Sequence, residues 1–240
     1  MIKSLLNRLV PEKLKTAIRD KAGVPSQESS LKRIKALGFA PKSCLDIGAY
    51  EGTWAIDFKK IFPESAVLMI EGQNEKEPFL VKTKELYKQV DYHIALLGAA
   101  ETTVIFNKYE TASSVLAEHH DTPSTKESRK LVTLDSLVAG TDFSKPDFIK
   151  IDTQGYELEI LKGGEKTLSA ATFVLLEVSF LDIYKNCPLV EDVLSFMKQR
   201  GFVVYDICTI MKRPLDGTLF QSDFLFAKEE SSFRNDKHWI

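Results

Sequence analysis

Cys44-Leu45-Asp46-Ile47-Gly48-Ala49-Tyr50-Glu51-Gly52 is the stretch whose reading decides the fold. A short apolar run ends in an acid, two glycines bracket a tight turn, and Thr53 to Ile61 continues as a helix. Strand, glycine-rich loop and helix N-terminus in that order let backbone approach a bound nucleotide closely. The spacing is Asp-x-Gly-x-x-x-Gly, not the Gly-x-Gly-x-x-Gly that cradles a pyrophosphate in dinucleotide folds. A carboxylate placed where those folds offer only backbone N–H groups repels a phosphate. It suits instead a ligand with an ammonium group and a sulfonium, such as S-adenosylmethionine.

Outward from this stretch the chain alternates strand and helix. Ala66 to Glu71 reads as a second apolar strand ending in an acid, Glu75 to Lys88 as a charged helix, and Val90 to Leu96 as a third strand. Thr102 to Asn107 is a short β-branched hairpin or side strand. Thr111 to Lys130, rich in Ser, Thr, His and charge, has no period and reads as a long loop. Leu131 to Thr133 is a candidate to pair with the side strand. Asp147 to Asp152 is a fourth strand, Glu157 to Leu168 a helix, Phe173 to Val178 a fifth strand and Leu189 to Gln199 a helix closed by Gly201. Phe202 to Ile207 and Asp223 to Ala227, joined by a turn with Pro214 and Gly217, leave no room for a helix and so pair antiparallel. The expected fold is α/β: a mostly parallel, Rossmann-like seven-stranded sheet with helices on both faces and a C-terminal antiparallel pair, an ending that fits a methyltransferase sheet better than a dehydrogenase sheet.

Before this core, residues 1–22 carry six basic residues and two acids, with Leu5, Leu6, Leu9, Leu14 and Ile18 at helical spacing and Pro11 dividing them. Two readings stay open: a basic amphipathic surface for peripheral contact with an anionic membrane, or a helical layer packed on the domain. Gly23 to Ser30 reads as a linker and Leu31 to Leu37 as a short helix. The expected organisation is an N-terminal helical segment at 1–38, a catalytic domain at 39–230 and a tail at 231–240.

The 240 residues suffice for one large domain. Basic and acidic residues nearly balance, 32 against 34, which argues against a dedicated nucleic-acid binder. Cys44, Cys187 and Cys208 are far apart and form no Cys-x-x-Cys pair, so neither a zinc site nor a disulfide framework is expected. No apolar run is long enough to cross a bilayer, and the N-terminus lacks a signal-peptide pattern. The expectation is a cytoplasmic protein; oligomeric state does not follow from the sequence.

Ligands of open α/β sheets bind beyond the carboxyl ends of the strands. Asp46 and Gly48 stand there after the first strand, Glu71 after the second, Asp152 after the fourth and Glu177 near the end of the fifth. Glu71, 25 residues after Asp46, is placed to accept both ribose hydroxyls of an adenosine. Lys150 shares a strand face with Phe148 and Asp152, and a lysine in a covered parallel strand must be paired or partly solvated. Glu177 is its expected partner if the fifth strand neighbours the fourth. Whether Lys150 and Asp152 project into a substrate site or form a buried pair that fixes the strand is open at this level.

These residues resemble the FkbM-type, S-adenosylmethionine-dependent methyltransferases. The resemblance is carried by Leu45 to Gly52, Ile70-Glu71, His93-Ile94-Ala95-Leu96, Leu131 to Leu137, Phe148-Ile149-Lys150-Ile151-Asp152-Thr153-Gln154-Gly155-Tyr156-Glu157, Leu161-Lys162-Gly163-Gly164, Leu176-Glu177-Val178 and Gln221 to Phe226. It implies a class I methyltransferase fold, S-adenosylmethionine as cofactor and methyl transfer, usually to oxygen, with a hydroxyl of a glycan sugar or secondary metabolite as substrate. Carried onto this chain, the cofactor residues are Asp46, Gly48, Tyr50, Glu51, Gly52, Glu71, Ala95 and Ser114. Tyr156, Glu157 and Glu177 fall to the substrate. Two positions depart from the family pattern: Gly72 stands where a proline is usual, and Gln154 where a glutamate is usual.

An aliphatic hydroxyl is a weak nucleophile until a base removes its proton. Asp152 is the expected base, oriented or tuned by Lys150; His93, His119 and His120 are alternatives, and Ser113 joins Ser114 as a contact candidate. Asp152, Glu157 and Glu177 also have the chemistry to hold a divalent ion, but their spacing alone does not show a site and no metal is assigned. The rival functions are a non-catalytic S-adenosylmethionine-binding module and, against the missing loop glycine, a nicotinamide-dependent oxidoreductase.

Overall fold

The computed structural model describes residues 23–109, 113–119 and 124–238. The segment 1–22, with both readings of it, and His120 lie outside the described residues. In chain order come α1 (Gln27–Ala36), β1 (Ser43–Ile47), α2 (Thr53–Ile61), β2 (Ala66–Glu71), a 3-10 turn (Asn74–Lys76), α3 (Glu77–Leu86), β3 (Val90–Ile94), β4 (Leu96–Leu97), β5 (Thr103–Lys108) and β6 (Thr125–Val132). Then follow α4 (Leu134–Val138), β7 (Phe148–Ile151), α5 (Glu157–Lys162), α6 (Glu165–Ala170), β8 (Phe173–Ser179), α7 (Val190–Gln199), β9 (Phe202–Ile207), β10 (Met211–Lys212) and β11 (Leu219–Lys228).

The main sheet runs β10-β11-β8-β7-β1-β2-β3, with β9 also on β11. Pairing is parallel from β3 across to β8 and antiparallel at β11. Of its eight strands, β9 and β10 divide one edge of β11, the first taking Phe224 to Lys228 and the second Leu219 to Gln221. The expected parallel sheet with an antiparallel close is therefore present, with one short strand more than the sequence shows.

Burial on both faces follows from strand alternation. Leu45, Ile47, Leu68, Ile70, Ile149, Ile151, Val174 and Leu176 face a core shared with α4 to α7 through Leu134, Leu158, Leu161, Leu168, Val193 and Met197. Cys44, Val67, Met69, Phe148, Phe173 and Leu175 face the other core, closed by Leu31 and Ile34 of α1, Ala55 and Phe58 of α2, and Leu80 of α3. Phe233, near the C-terminus, packs there on Phe39 and Phe173, with ring centroids 5.7 and 5.2 Å away. At about 25 cal/mol per Å² of apolar surface, these two layers are the main source of stability.

Four local expectations change. Gln27 to Ser30 is helix rather than linker, because Ser26 caps it by accepting the Ser29 N–H at 3.1 Å. The charged helix after β2 splits into the 3-10 turn and α3, with Pro78 at its first turn. The helix after β7 breaks into α5 and α6 at Gly163-Gly164. A Cβ on Gly163 would sit 2.1 Å from the Gly98 carbonyl oxygen, so that crossing admits no side chain. Thr125 to Lys130 is strand: β6 pairs antiparallel with β5, while Leu131 and Val132 pair parallel with β4.

Candidate functional site

A cavity of about 350 Å³ opens at the carboxyl ends of β1, β2 and β7, inside the size range of small-molecule sites. Its floor is apolar, from Ile47, Ile70, Leu97 and Phe106, and its rim polar, from Glu71, Gln73, Asp152 and Gln154. The turn after β1 shapes one wall. Gly48 has φ +74, and a Cβ there would lie 1.9 Å from the Asp152 carbonyl oxygen. The loops leaving β1 and β7 thus touch backbone to backbone, and only glycine fits.

Glu71, at the end of β2, lies in the wall with both oxygens held by backbone. One accepts the Tyr50 N–H at 2.7 Å, the other the Gln73 N–H at 2.8 Å. Each carboxylate oxygen keeps a second lone pair. Burial raises the Glu71 pKa, and those N–H groups work against the rise. The site therefore presents two fixed acceptors side by side, the pattern a vicinal diol needs.

Asp46 and Lys150 are register partners across the parallel β1–β7 pair, so their side chains share a face. Both are buried, with Lys150 Nζ 3.1 Å from Asp46 Oδ1 and 3.9 Å from Asp152 Oδ2. The ammonium also donates to the Gly48 carbonyl at 2.8 Å. Neither oxygen of Asp46 accepts a hydrogen bond of good geometry among the described residues, so the contact with Lys150 is an ion pair off the hydrogen-bond direction. Burial works to lower the Lys150 pKa, and the charges of Asp46 and Asp152 more than reverse it, so Lys150 stays a cation. Burial also raises Asp46, and Lys150 offsets only part of that rise. The expected Glu177 partner is replaced by Asp46: β8 does neighbour β7, but the residue level with Lys150 on β8 is Leu175.

Asp152 stands on the cavity wall with its side chain 40% exposed. Gln154 Nε2 donates to Asp152 Oδ1 at 3.1 Å and to Glu177 Oε2 at 2.9 Å, and Gln221 donates to the same Glu177 oxygen at 2.9 Å. Burial first, then the nearby charges of Asp152, Glu157 and Asp223, push Glu177 well above the ordinary range. Glu157 lies under the loop, its Oε1 accepting the N–H groups of Thr153 and Gly155 and the Thr153 hydroxyl. Burial raises it to about 7.

Of the residues singled out from sequence, Gly48, Tyr50, Glu71, Ala95, Ser113, Ser114, Asp152 and Tyr156 line the cavity. Asp46, Glu51, Gly52, Lys150, Glu157 and Glu177 do not. Asp46 and Lys150 lie behind the Gly48 turn, Gly52 opens α2, and Glu51 pairs with Lys76 at 2.9 Å. His93 is exposed on the edge strand β3, and His119 pairs with Asp182 at 3.4 Å; neither lines the cavity. Among the described residues no three His, Cys, Asp or Glu side chains group to hold a metal. Gln154, Gln73 and Tyr184 escaped the sequence as structural partners: Gln154 and Tyr184 act on groups from other elements, and Gln73 gives Glu71 its backbone N–H. Only the unusual amide at 154 marked any of them.

Among the described residues no Lys, Arg or His lines the cavity, whereas Glu71 and Asp152 do. A diphosphate would meet carboxylates there; a neutral or cationic nucleoside meets a diol acceptor, an apolar floor and close backbone. Among described residues no helix is long and apolar enough to cross a membrane.

A 49-residue stretch, a fifth of this chain and a fifth of its relative, is 39% identical to the hexuronic acid methyltransferase AglP of Haloferax volcanii. The structure of EvdMO1 is similar over 84% of this chain and 41% of that one, with 13% identity and a TM-score of 0.50, a likeness of fold alone. The methyltransferase FkbM of Methylobacillus flagellatus KT is similar over 76% of this chain and 43% of that one, with 16% identity and a TM-score of 0.49. The chain thus spans less than half the length of either solved relative. The methyltransferase FkbM domain matches residues 46–204, well over half the sequence, and the chain belongs to that family.

Proposed function

We propose that the protein is an S-adenosylmethionine-dependent O-methyltransferase acting on a hydroxyl of a glycan sugar or a secondary metabolite. The observation that carries this reading is Glu71. It is a buried strand-end carboxylate fixed by two backbone N–H groups, with acceptor capacity left for a ribose diol, in a cavity whose described lining holds no cation. The likeness of a short stretch to a hexuronic acid methyltransferase supports a sugar acceptor.

S-adenosylmethionine, when bound, supplies a methyl group on a positively charged sulfur. The residues suited to hold it are Glu71 for the ribose, Gly48 and Tyr50 of the turn after β1 for the amino-acid end, and the apolar lining at Leu96, Leu97 and Phe106 for the base. Asp152 takes the hydroxyl proton of the acceptor as the oxygen attacks, and later releases it to solvent. Lys150 works through others: it ties the Gly48 carbonyl and keeps a positive charge 3.9 Å from Asp152. Holding acceptor and donor in line is the larger share of the catalytic task.

Isothermal calorimetry of the full chain with S-adenosylmethionine and S-adenosylhomocysteine tests the cofactor, with Glu71→Ala expected to abolish binding of both. Absence of binding to the unaltered protein overturns the proposal. Mass spectrometry of glycans and metabolites from cells with and without the gene identifies the acceptor by a one-methylene difference.

A further inference from the structure

Gln154 takes φ +56, a left-handed conformation unfavourable for a residue with a side chain. Strain of this kind persists where surrounding contacts hold it, and here three side chains do. The two amide hydrogens go to Asp152 Oδ1 and Glu177 Oε2, and Gln154 Oε1 accepts the Tyr184 hydroxyl at 3.0 Å. The backbone carbonyl of Gln154 accepts the Ser114 hydroxyl, also at 3.0 Å. Turning the amide over would set its oxygen against two carboxylates, so chemistry fixes its orientation. One nitrogen therefore bridges two acids, Asp152 just past the end of β7 and Glu177 on the adjacent β8, and the buried Tyr184 anchors the amide through its oxygen.

We infer that Gln154 is a positioning residue of this site: its amide, anchored by Tyr184, sets the Asp152 carboxylate at the cavity edge and couples it to Glu177. The inference takes its purpose from the methyl-transfer reading, while its geometry stands apart from it. The charged and titratable groups facing the pair are Lys150 on β7, Asp46 on β1, Asp223 on β11, Glu157 at the start of α5 and, beside Tyr184, Glu118. Among them only Lys150 is cationic, and it is shared with Asp46 and the Gly48 carbonyl. Among the described residues the amide is thus the one neutral donor common to both acids.

The test is a carboxyl ¹³C NMR pH titration of the full chain, with Asp152→Asn and Glu177→Gln used to assign the two signals. Protons leave interacting carboxyls in macroscopic steps that belong to the pair, so the lower of the observed steps is the reading. Gln154→Met keeps the length of the side chain and removes the donor, and it raises the lower step by about one unit, the worth of a hydrogen bond to a charged group. Tyr184→Phe moves that step in the same direction by less. Titrations of both variants that match the unaltered protein overturn the inference. If Gln154→Met does not fold, a Tyr184→Phe titration that matches the unaltered protein overturns the inference; a shift in Gln154→Met alone supports positioning by the amide and overturns its anchoring by Tyr184. The titration needs neither donor nor acceptor of methyl groups, so its failure is distinct from a failure of the calorimetric test of cofactor binding.

Discussion

Removing the Lys150 ammonium tests whether the ion pair behind the glycine turn is structural at the level its geometry implies. Lys150→Met keeps most of the side-chain volume and leaves the Asp46 carboxylate, which has no exposed surface, without a counter-ion. Coulomb's law at 3.1 Å with an effective dielectric of about 20 gives about 5 kcal/mol of attraction between the two charges. Desolvation cancels part of it, and loss of one partner of a buried pair typically costs about 3–5 kcal/mol. A loss near 4 kcal/mol is therefore expected, a large fraction of the roughly 5–15 kcal/mol available to a domain. The pH dependence has a definite sign. Without Lys150, burial raises the folded pKa of Asp46 further above its unfolded value, so the folded state binds more protons. The stability of the variant then falls as pH rises, by at most about 1.4 kcal/mol per unit. Adding Asp46→Asn removes the stranded charge, recovers most of the loss and flattens the pH slope. Urea unfolding of the four proteins between about pH 5 and pH 8 measures all of this as a double-mutant cycle. A loss under about 1 kcal/mol in Lys150→Met, as for a solvated surface pair, or full additivity in the cycle, refutes the reasoning.

Gly48→Ala forces a Cβ onto the Asp152 carbonyl at φ +74; a stability loss above about 2 kcal/mol in urea, with loss of S-adenosylhomocysteine binding by calorimetry, is expected. Asp152→Asn should leave that binding intact and remove turnover once an acceptor is identified, and full activity would exclude Asp152 as the base. Glu157 is raised from 4.5 to about 7, so it favours the folded state when protonated, and this contribution is lost as pH rises from about 4.5 through about 7. Glu157→Gln should flatten that part of the stability profile, a difference of up to about 3 kcal/mol across the window in urea titrations.

Buried parallel strands announce themselves, which is why β1, β2, β7 and β8 are legible from apolar runs and why the acids at their ends, Asp46, Glu71, Asp152 and Glu177, stand out in the sequence itself. β6 is not legible, because Thr125 to Lys130 is polar on both faces and draws its order from backbone pairing with β5. Lys150 marks a second limit. The chain gives strands in sequence order, whereas the ion pair depends on spatial register, where Asp46 lies level with Lys150 on β1 and Leu175 does so on β8. Gln154 and Gln27 mark a third. Their roles are set wholly by distant partners: Gln27 accepts from the Trp54 indole at 2.7 Å and donates to Asp223 at 2.7 Å, tying α1 across α2 to β11.

The same residue type at neighbouring strand ends is sorted into different tasks by what solvates it. Asp46 faces one buried ammonium and no cavity, so it anchors the turn. Asp223 is taken up by Gln27 and the Thr209 hydroxyl, and Glu177 receives two amide donors on one oxygen. Glu71 is gripped by backbone alone, which fixes it without using all its acceptor capacity, and that is the requirement for binding a diol. Asp152 is held by one amide hydrogen of Gln154, with Lys150 3.9 Å away and two-fifths of the Asp152 side chain exposed. A proton acceptor must reach both its substrate and, after transfer, water. Among these five acids Asp152 alone combines a place on the cavity wall with that much exposure, which is what the proposed base requires and what residue type alone does not supply.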